Sequence, residues 1–593
     1  MEHPSKRARL TLDLGDESPP GRVSTPLASL HRSVTPPPSR ARATLSAPAT
    51  PACPDLANDR VEDKSNRSVK LNITDSSPQS PQLVPSLVQL THIRDFPDHK
   101  EYNVDTVKLR DILGDPMIRE CWQFNYLFDV DFLMAQFDED VRNLIQVKVV
   151  HGSWEKESAN KIRVDEACSR YPNVEAVVAY MPERFGTHHS KMMILLRHDD
   201  LAQIVIHTAN MIHGDWTNMT QAVWRSPLLP LLNSRGSTSF REKPVFGTGA
   251  RFKRDLLSYL KVYGVKKTGS LVQQLIRYDF GSIRAALIAS VPSKQVLHRL
   301  DSDQGTLWGW PALKDLMGRV PIHESGKKNE NQPTKKSHIA IQISSVASLG
   351  QTDKWLKGTF FNALAPQSTH PPPRYSIIFP TSDEIRRSLD GYGSGGSIHM
   401  KTQSAQQQKQ LQYIRPHLCH WAGDGPSTSN FIDLSEDKPL KREAGRGRAA
   451  PHIKTYIRYS DAEAMNSIDW AMVTSANLST QAWGAAVNSS GEVRISSWEI
   501  GVVFWPELFV DAPLSQGLPD GPECTTAMMI PCFQHDHPSC PVPNSPHERQ
   551  ASTVVGFRMP YNLPLTPYNT SDEPWCATVA HHLPDWRGQT WIV

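Results

Sequence analysis

Two short phrases in this chain carry the groups that phosphate chemistry needs. His189-Ser190-Lys191 is followed by Ile206-His207-Thr208-Ala209-Asn210, and His452-Ile453-Lys454 by Met472-Val473-Thr474-Ser475-Ala476-Asn477. One His-x-Lys arises by chance in most chains of this size. Two copies with a shared downstream Thr-(Ser)-Ala-Asn do not. In an extended segment alternate side chains share a face, so each His and its Lys point the same way. If two halves of the chain pack about a pseudo-twofold axis, two imidazoles, two ammonium groups and two carboxamides converge in one cleft.

That set suits exchange at a phosphodiester. Histidine, with an ordinary pKa of about 6.5, is available both as a neutral base and as a cationic acid near neutral pH. One imidazole attacks phosphorus while the other protonates the departing oxygen. Water then hydrolyses the phosphohistidine, with the second imidazole acting as base. Lys191, Lys454, Asn210 and Asn477 stabilise the charge on five-coordinate phosphorus. This scheme calls for no metal and no cofactor. Cys524, Cys532, His535, His537 and Cys540 crowd one Pro-rich stretch. It has no Cys-x-x-Cys pair, and its spacings fit no common structural zinc site.

The elements that must position these residues are legible as apolar runs. Leu144 to Val150, Val174 to Tyr180, Lys191 to Leu196 and Gln203 to His207 read as buried strands, with a helical pattern over Phe252 to Tyr263. Phe124 to Leu133 reads as a loop leading into a helix. A second series starts near Ala289, with strands over Ile339–Ile343, Tyr375–Phe379, His452–Arg458, Trp470–Thr474 and Glu499–Phe504. Strands alternating with helices predict an α/β fold. It would comprise two similar halves, each a mixed central sheet flanked by helices, over residues 86–293 and 294–593. Gln403 to Gln412 reads as a solvated, glutamine-rich helix. Gly423 to Arg448 reads as a surface insertion whose basic end, beside the second His-x-Lys, could grip a nucleic-acid backbone.

Composition sets the outer bounds. A chain of 593 residues is too long for one core. Residues 1–85 are rich in Pro, Ser, Thr and Arg and predict a disordered tail. It carries a basic cluster, Lys6-Arg7-Ala8-Arg9, suited to nuclear targeting, and Ser-Pro and Thr-Pro pairs suited to proline-directed kinases. The net charge is only +3, so affinity for nucleic acid must come from a local groove. No apolar run reaches the roughly eighteen residues of a membrane span, and the first residues carry no signal-peptide stretch. Eight scattered cysteines point to a reducing compartment.

The chain resembles the tyrosyl-DNA phosphodiesterases of the phospholipase D superfamily from about residue 86 onward. The resemblance is carried by Phe185-Gly186-Thr187-His188-His189-Ser190-Lys191-Met192-Met193, by Ile206 to Trp216, and by Pro451-His452-Ile453-Lys454-Thr455-Tyr456. It continues in Val473 to Ser479 and in Ala482-Trp483-Gly484. Most phospholipase D relatives place Asp five residues after the lysine; Leu196 and Tyr459 stand here, and the tyrosyl-DNA enzymes likewise lack it.

The resemblance implies His189 as the nucleophile and His452 as general acid, then base. Gln221 and Glu499 would orient the imidazoles. Ser344, Ser345, Ser348 and Ser397, together with Lys191 and Lys454, would contact DNA phosphates. Phe185 and Tyr126 would lie beside the bound strand. Ala577, after Pro574-Trp575-Cys576, departs from the family's pair of tryptophans. The implied activity is release of tyrosine or a topoisomerase I-derived peptide from a DNA 3′ end, leaving a 3′-phosphate, by a nuclear monomer with no membrane partner. Two other readings stand beside it. One is a lipid phosphodiesterase or nuclease on the same scaffold, which for lipid should show a membrane-binding surface. The other is a binding module without turnover.

Overall fold

In the computed structural model the described residues are 81–96, 102–155, 157–232, 244–299, 301–303, 305–322, 336–366, 371–422, 441–510, 527–539 and 551–593. The expected tail, its basic cluster, Cys524 and Cys540 lie outside them, except at the tail's end. There Gln82–Val84 forms an edge strand parallel to Thr553–Arg558, so order begins before residue 86.

Two mixed sheets organise the chain, and their central seven strands have the same order. The first runs Val88–Leu90, Ala222–Arg225, Leu201–His207, Met192–Arg197, Ile118–Phe124, Gln146–His151, Val174–Val178. The second runs Ala286–Ser290, Glu499–Phe504, Ile468–Thr474, Thr455–Tyr459, His338–Gln342, Arg374–Ile378, Leu418–Cys419. In each, the last three strands are parallel and the rest antiparallel. The second sheet also branches at Ile468–Thr474, whose first residue pairs with Ala527–Cys532, followed by Thr553–Arg558 and Gln82–Val84. Ala286–Ser290 lies upstream of residue 293 yet opens the second sheet.

The parallel strands need crossovers, whereas the strands around each His-x-Lys need only short turns. Each motif therefore sits at the mouth of a hairpin: Met192–Arg197 turns into Leu201–His207, and Thr455–Tyr459 into Ile468–Thr474. The strands begin one residue after the lysine, so the tripeptides precede them and do not open them as expected.

Helix Gly249–Val262 shows how the sheets are joined. Thr248 caps it through Arg251 N, and Gly264, at φ 97°, ends it in a conformation that costs glycine little. Phe252, Leu256, Tyr259 and Leu260, with Tyr263 just beyond, recur at helical spacing and are buried. Tyr263 stacks on Trp498 of the second half with centroids 3.9 Å apart. One hydrophobic core runs through both sheets, and a second lies under the far face of the first.

Two surface readings change. The glutamine-rich helix, Ala405–Ile414, buries Leu411, Ile414 and Gln410. Gln410 bonds the backbone of Leu349 and Ala347, so this helix braces the Ser344–Ser348 loop. Of the basic insertion, residues 423–440 lie outside the described set. Its end is packed: Arg446 is buried and donates to Thr91 O at 2.9 Å.

Candidate active site

The two half-sites are stitched together by equivalent backbone bonds. His189 N donates to Trp498 O (3.0 Å) and Trp498 N to Thr187 O (2.9 Å). In the other half, His452 N donates to Thr220 O (3.2 Å) and Thr220 N to Ala450 O (2.9 Å). Glu499 and Gln221, the residues after Trp498 and Thr220, therefore occupy matching positions. Each stands beside the histidine of the opposite half.

His189 Nδ1 lies 3.0 Å from Glu499 Oε2. Ser475 Oγ donates to the same oxygen. The buried carboxylate holds the proton on Nδ1 and leaves Nε2 with its lone pair. Burial lowers the His189 pKa, and Lys191 and Lys454 lower it further against the pull of Glu499. Burial would raise the Glu499 pKa, but His189 and Ser475 outweigh it and hold the carboxyl ionised.

His452 is more deeply buried, at 3% exposure against 15% for the His189 side chain. Its Nδ1 lies 3.1 Å from Asp215 Oδ2 and 3.2 Å from Gln221 Nε2. Thr208 Oγ1 donates to Gln221 Oε1 at 2.8 Å and so aims the amide NH₂ at the imidazole. Asp215 is 1% exposed and also accepts from Asn210 N at 2.6 Å. His452 Nε2 lies 3.2 Å from Lys454 Nζ. Burial and then Lys454 push the His452 pKa down to about 3, with Asp215 opposing.

The lysines stand behind the imidazoles. Lys191 Nζ donates to His189 O at 3.0 Å, and Lys454 Nζ to His452 O. Burial brings Lys191 down to about 8 and Lys454 well below its ordinary value. Burial thus disfavours the charged form of each lysine, and a phosphate anion beside them would favour it.

A cavity of about 310 Å³ joins the halves, lined by His189, Asn210 and Tyr126 on one side and His452, Asn477 and Ser345 on the other. Phe185, Ser397 and Glu499 also line it. Asn477 Oδ1 accepts from Ser344 N (3.0 Å) and Ser345 N (2.9 Å), which leaves its NH₂ as the donor available to the cavity. Ser344 is buried in this contact and does not reach the wall. Ser348 lines an adjoining cavity of about 360 Å³ with Lys401 and His399. Ser397 Oγ lies 3.4 Å from Asp215 Oδ1.

Asp215 is the residue that sequence reasoning missed. Its signal lay in the unequal pair at the matching positions: one half has Glu499, the other only Gln221, so a second carboxylate was owed. Among the described residues no group of three or more His, Cys, Asp or Glu side chains is placed to hold a metal ion. No helix among them is long and apolar enough to cross a membrane.

Duplicated mixed sheets that each present a histidine and an asparagine to one shared cavity, with a buried lysine behind each imidazole, define a phosphodiesterase. A profile described as tyrosyl-DNA phosphodiesterase matches residues 87–569, and the chain belongs to that family. It is 30% identical over 571 residues to a probable tyrosyl-DNA phosphodiesterase of Schizosaccharomyces pombe, covering 86% of this chain and 97% of that one. It is 26% identical to tyrosyl-DNA phosphodiesterase 1 of Arabidopsis thaliana, over 86% of this chain and 77% of the other. The fold matches the crystal structure of yeast tyrosyl-DNA phosphodiesterase at a TM-score of 0.54 and 19% identity, covering 83% and 99% of the two chains.

Proposed function

We propose that this enzyme repairs DNA by hydrolysing the 3′-phosphotyrosyl bond left when topoisomerase I stalls, releasing tyrosine or a peptide. His189 Nε2 attacks phosphorus and the P–O bond to tyrosine breaks. His452 Nε2 delivers a proton to the departing phenolate. Water, deprotonated by His452, then attacks the phosphohistidine, freeing His189 and a DNA 3′-phosphate. The observation that carries this reading is the crossed pairing of Glu499 with His189 and of Asp215 with His452 around one cavity.

Proton supply is consistent with the electrostatics. His452 is neutral in the empty site, as a base must be. A bound phosphodiester brings negative charge beside Lys191 and Lys454, offsets their repulsion, and raises both imidazoles toward the pKa of a useful acid. Phenol, at a pKa of about 10, is a leaving group that such an acid can serve. The family name supports tyrosine as the leaving group. The cluster Lys6-Arg7-Ala8-Arg9 supports a nuclear location, and a site completed within one chain supports a monomer.

The test is turnover in excess EDTA of a 3′-phosphotyrosyl oligonucleotide beside phosphatidylcholine vesicles. Release of tyrosine from the oligonucleotide with the lipid untouched is expected. Lipid hydrolysis, or no release of tyrosine, would overturn the reading.

A further inference from the structure

The first half leaves large aromatic rings exposed where its parallel strands end beside the site. Strands Ile118–Phe124, Gln146–His151 and Val174–Val178 are adjacent and parallel, so their carboxyl ends share one edge of the sheet. The residues just past those ends are Tyr126, Trp154 and Tyr180, with exposures of 41%, 54% and 59%. Phe185, at 78%, follows on the segment leading to His189. Rings this open forfeit burial that the core could have supplied, and together they mark an interaction surface.

All four belong to segments that border the nucleophile. The Tyr126 ring lies 5.7 Å from the His189 ring. Gly152, two residues before Trp154, is packed so closely that a Cβ there would sit 2.5 Å from His188 Cβ. Tyr180 O accepts from Trp498 Nε1 at 3.0 Å, next to Glu499. Tyr126 and Phe185 line the active cavity opposite Ser345, and the hydroxyl-bearing wall continues past Ser348 to Lys401.

A groove with flat rings on one wall and hydroxyls with an ammonium on the other matches a chain that has flat apolar faces on one side and anions on the other. We infer that Trp154 and Tyr180 extend this wall into a stacking track for unpaired bases of the DNA strand, several nucleotides before its blocked 3′ end. An extended peptide also alternates its side chains, but only a nucleic-acid strand sets a flat ring and an anion at every step whatever its sequence. Stacking on a ring tolerates every base, as a repair enzyme meeting any sequence requires. Arg184, whose guanidinium carbon lies 5.8 Å from the Phe185 centroid, adds positive charge on the same wall. The inference rests on the function proposed above but names residues that function does not need.

The experiment compares Trp154→Ala, Tyr180→Ala and the double variant with the parent, using 3′-phosphotyrosyl oligonucleotides of 2, 6 and 12 nucleotides. In the parent KM should fall with length. Each substitution should remove about tenfold of that gain, with kcat far less affected, and Trp154→Phe and Tyr180→Trp should restore it. A length dependence that survives the double variant overturns the track. So does a loss that follows the length of the tyrosyl peptide and not of the DNA. Should the parent release no tyrosine at all, the proposed function fails. Anisotropy of a 5′-labelled 12-nucleotide strand then still decides the track, which is overturned if the double variant binds it as tightly.

Discussion

The two half-sites present the same tripeptide in unlike settings. His189 is partly open, faces one carboxylate and is confined to one tautomer, with the lone pair of Nε2 on the cavity side. His452 is sealed at 3% exposure, abuts its own lysine, and has both an acceptor, Asp215, and a donor, Gln221, at Nδ1. A nucleophile needs one tautomer held ready. A group that gives a proton and later takes one needs a setting that tolerates both states. The duplicated sheets bring the two histidines to one cavity; in the proposed mechanism the unequal residues at matching positions, Glu499 and Gln221, separate their duties.

The sharpest way to break this comparison is to remove each imidazole in turn. His189→Ala should abolish release of tyrosine, because it removes the proposed nucleophile; equal residual activity in the two alanine variants would refute the division of labour. His452→Ala should still release tyrosine, a good leaving group, but slow the second step by roughly 10²–10⁴. A protein–DNA adduct should then persist on a denaturing gel.

Smaller changes probe the orienting groups. Glu499→Gln should cost roughly 10- to 100-fold in the rate of the first step, since a buried partner fixes the tautomer of His189. Asp215→Asn should spare that step and slow breakdown of the intermediate, and rapid-quench kinetics separate the two. If both variants depress the same step, the crossed pairing has no functional meaning.

The smallest effect is on stability. Burial, with nearby cations for most of them, holds His188, His207 and His452 down to about 3 and His151 and His338 to about 4, against 6.5 when unfolded. Between those values the unfolded chain binds more protons than the folded one. Stability is therefore fully present above about pH 6.5 and is lost as pH falls toward 4. Urea midpoints across that range should fall steadily, and His452→Asn should flatten part of the decline.

Much of the site was legible because the chemistry repeats. His189, Lys191, Asn210, His452, Lys454 and Asn477 declared themselves as a pair of phrases, and the hairpins that hold them are runs of apolar residues. Other features were hidden for physical reasons. Strand Ile118–Phe124, central to the first sheet, reads Ile-Arg-Glu-Cys-Trp-Gln-Phe and shows no clean period, because its polar side chains are satisfied locally, as Trp122 Nε1 is by Glu120. Asp215 sits five residues after Asn210, on the short helix His213–Thr217, with no counterpart after Asn477, where Ala482 stands. The repeated phrases alone therefore did not show it; only the mismatch of Gln221 with Glu499 pointed to a missing carboxylate. The glutamine-rich helix looked solvated because Gln410, the residue that braces the serine loop, differs from its exposed neighbours in environment and not in type.

One imidazole, that of His189, is expected to carry the DNA between the two steps. Parent enzyme mixed with a 3′-phosphotyrosyl oligonucleotide should be quenched within a turnover, digested under conditions that preserve phosphoramidates, and mapped by mass spectrometry. The nucleotide mass is expected on the peptide that holds His189. Its appearance on the peptide that holds His452 would contradict the account.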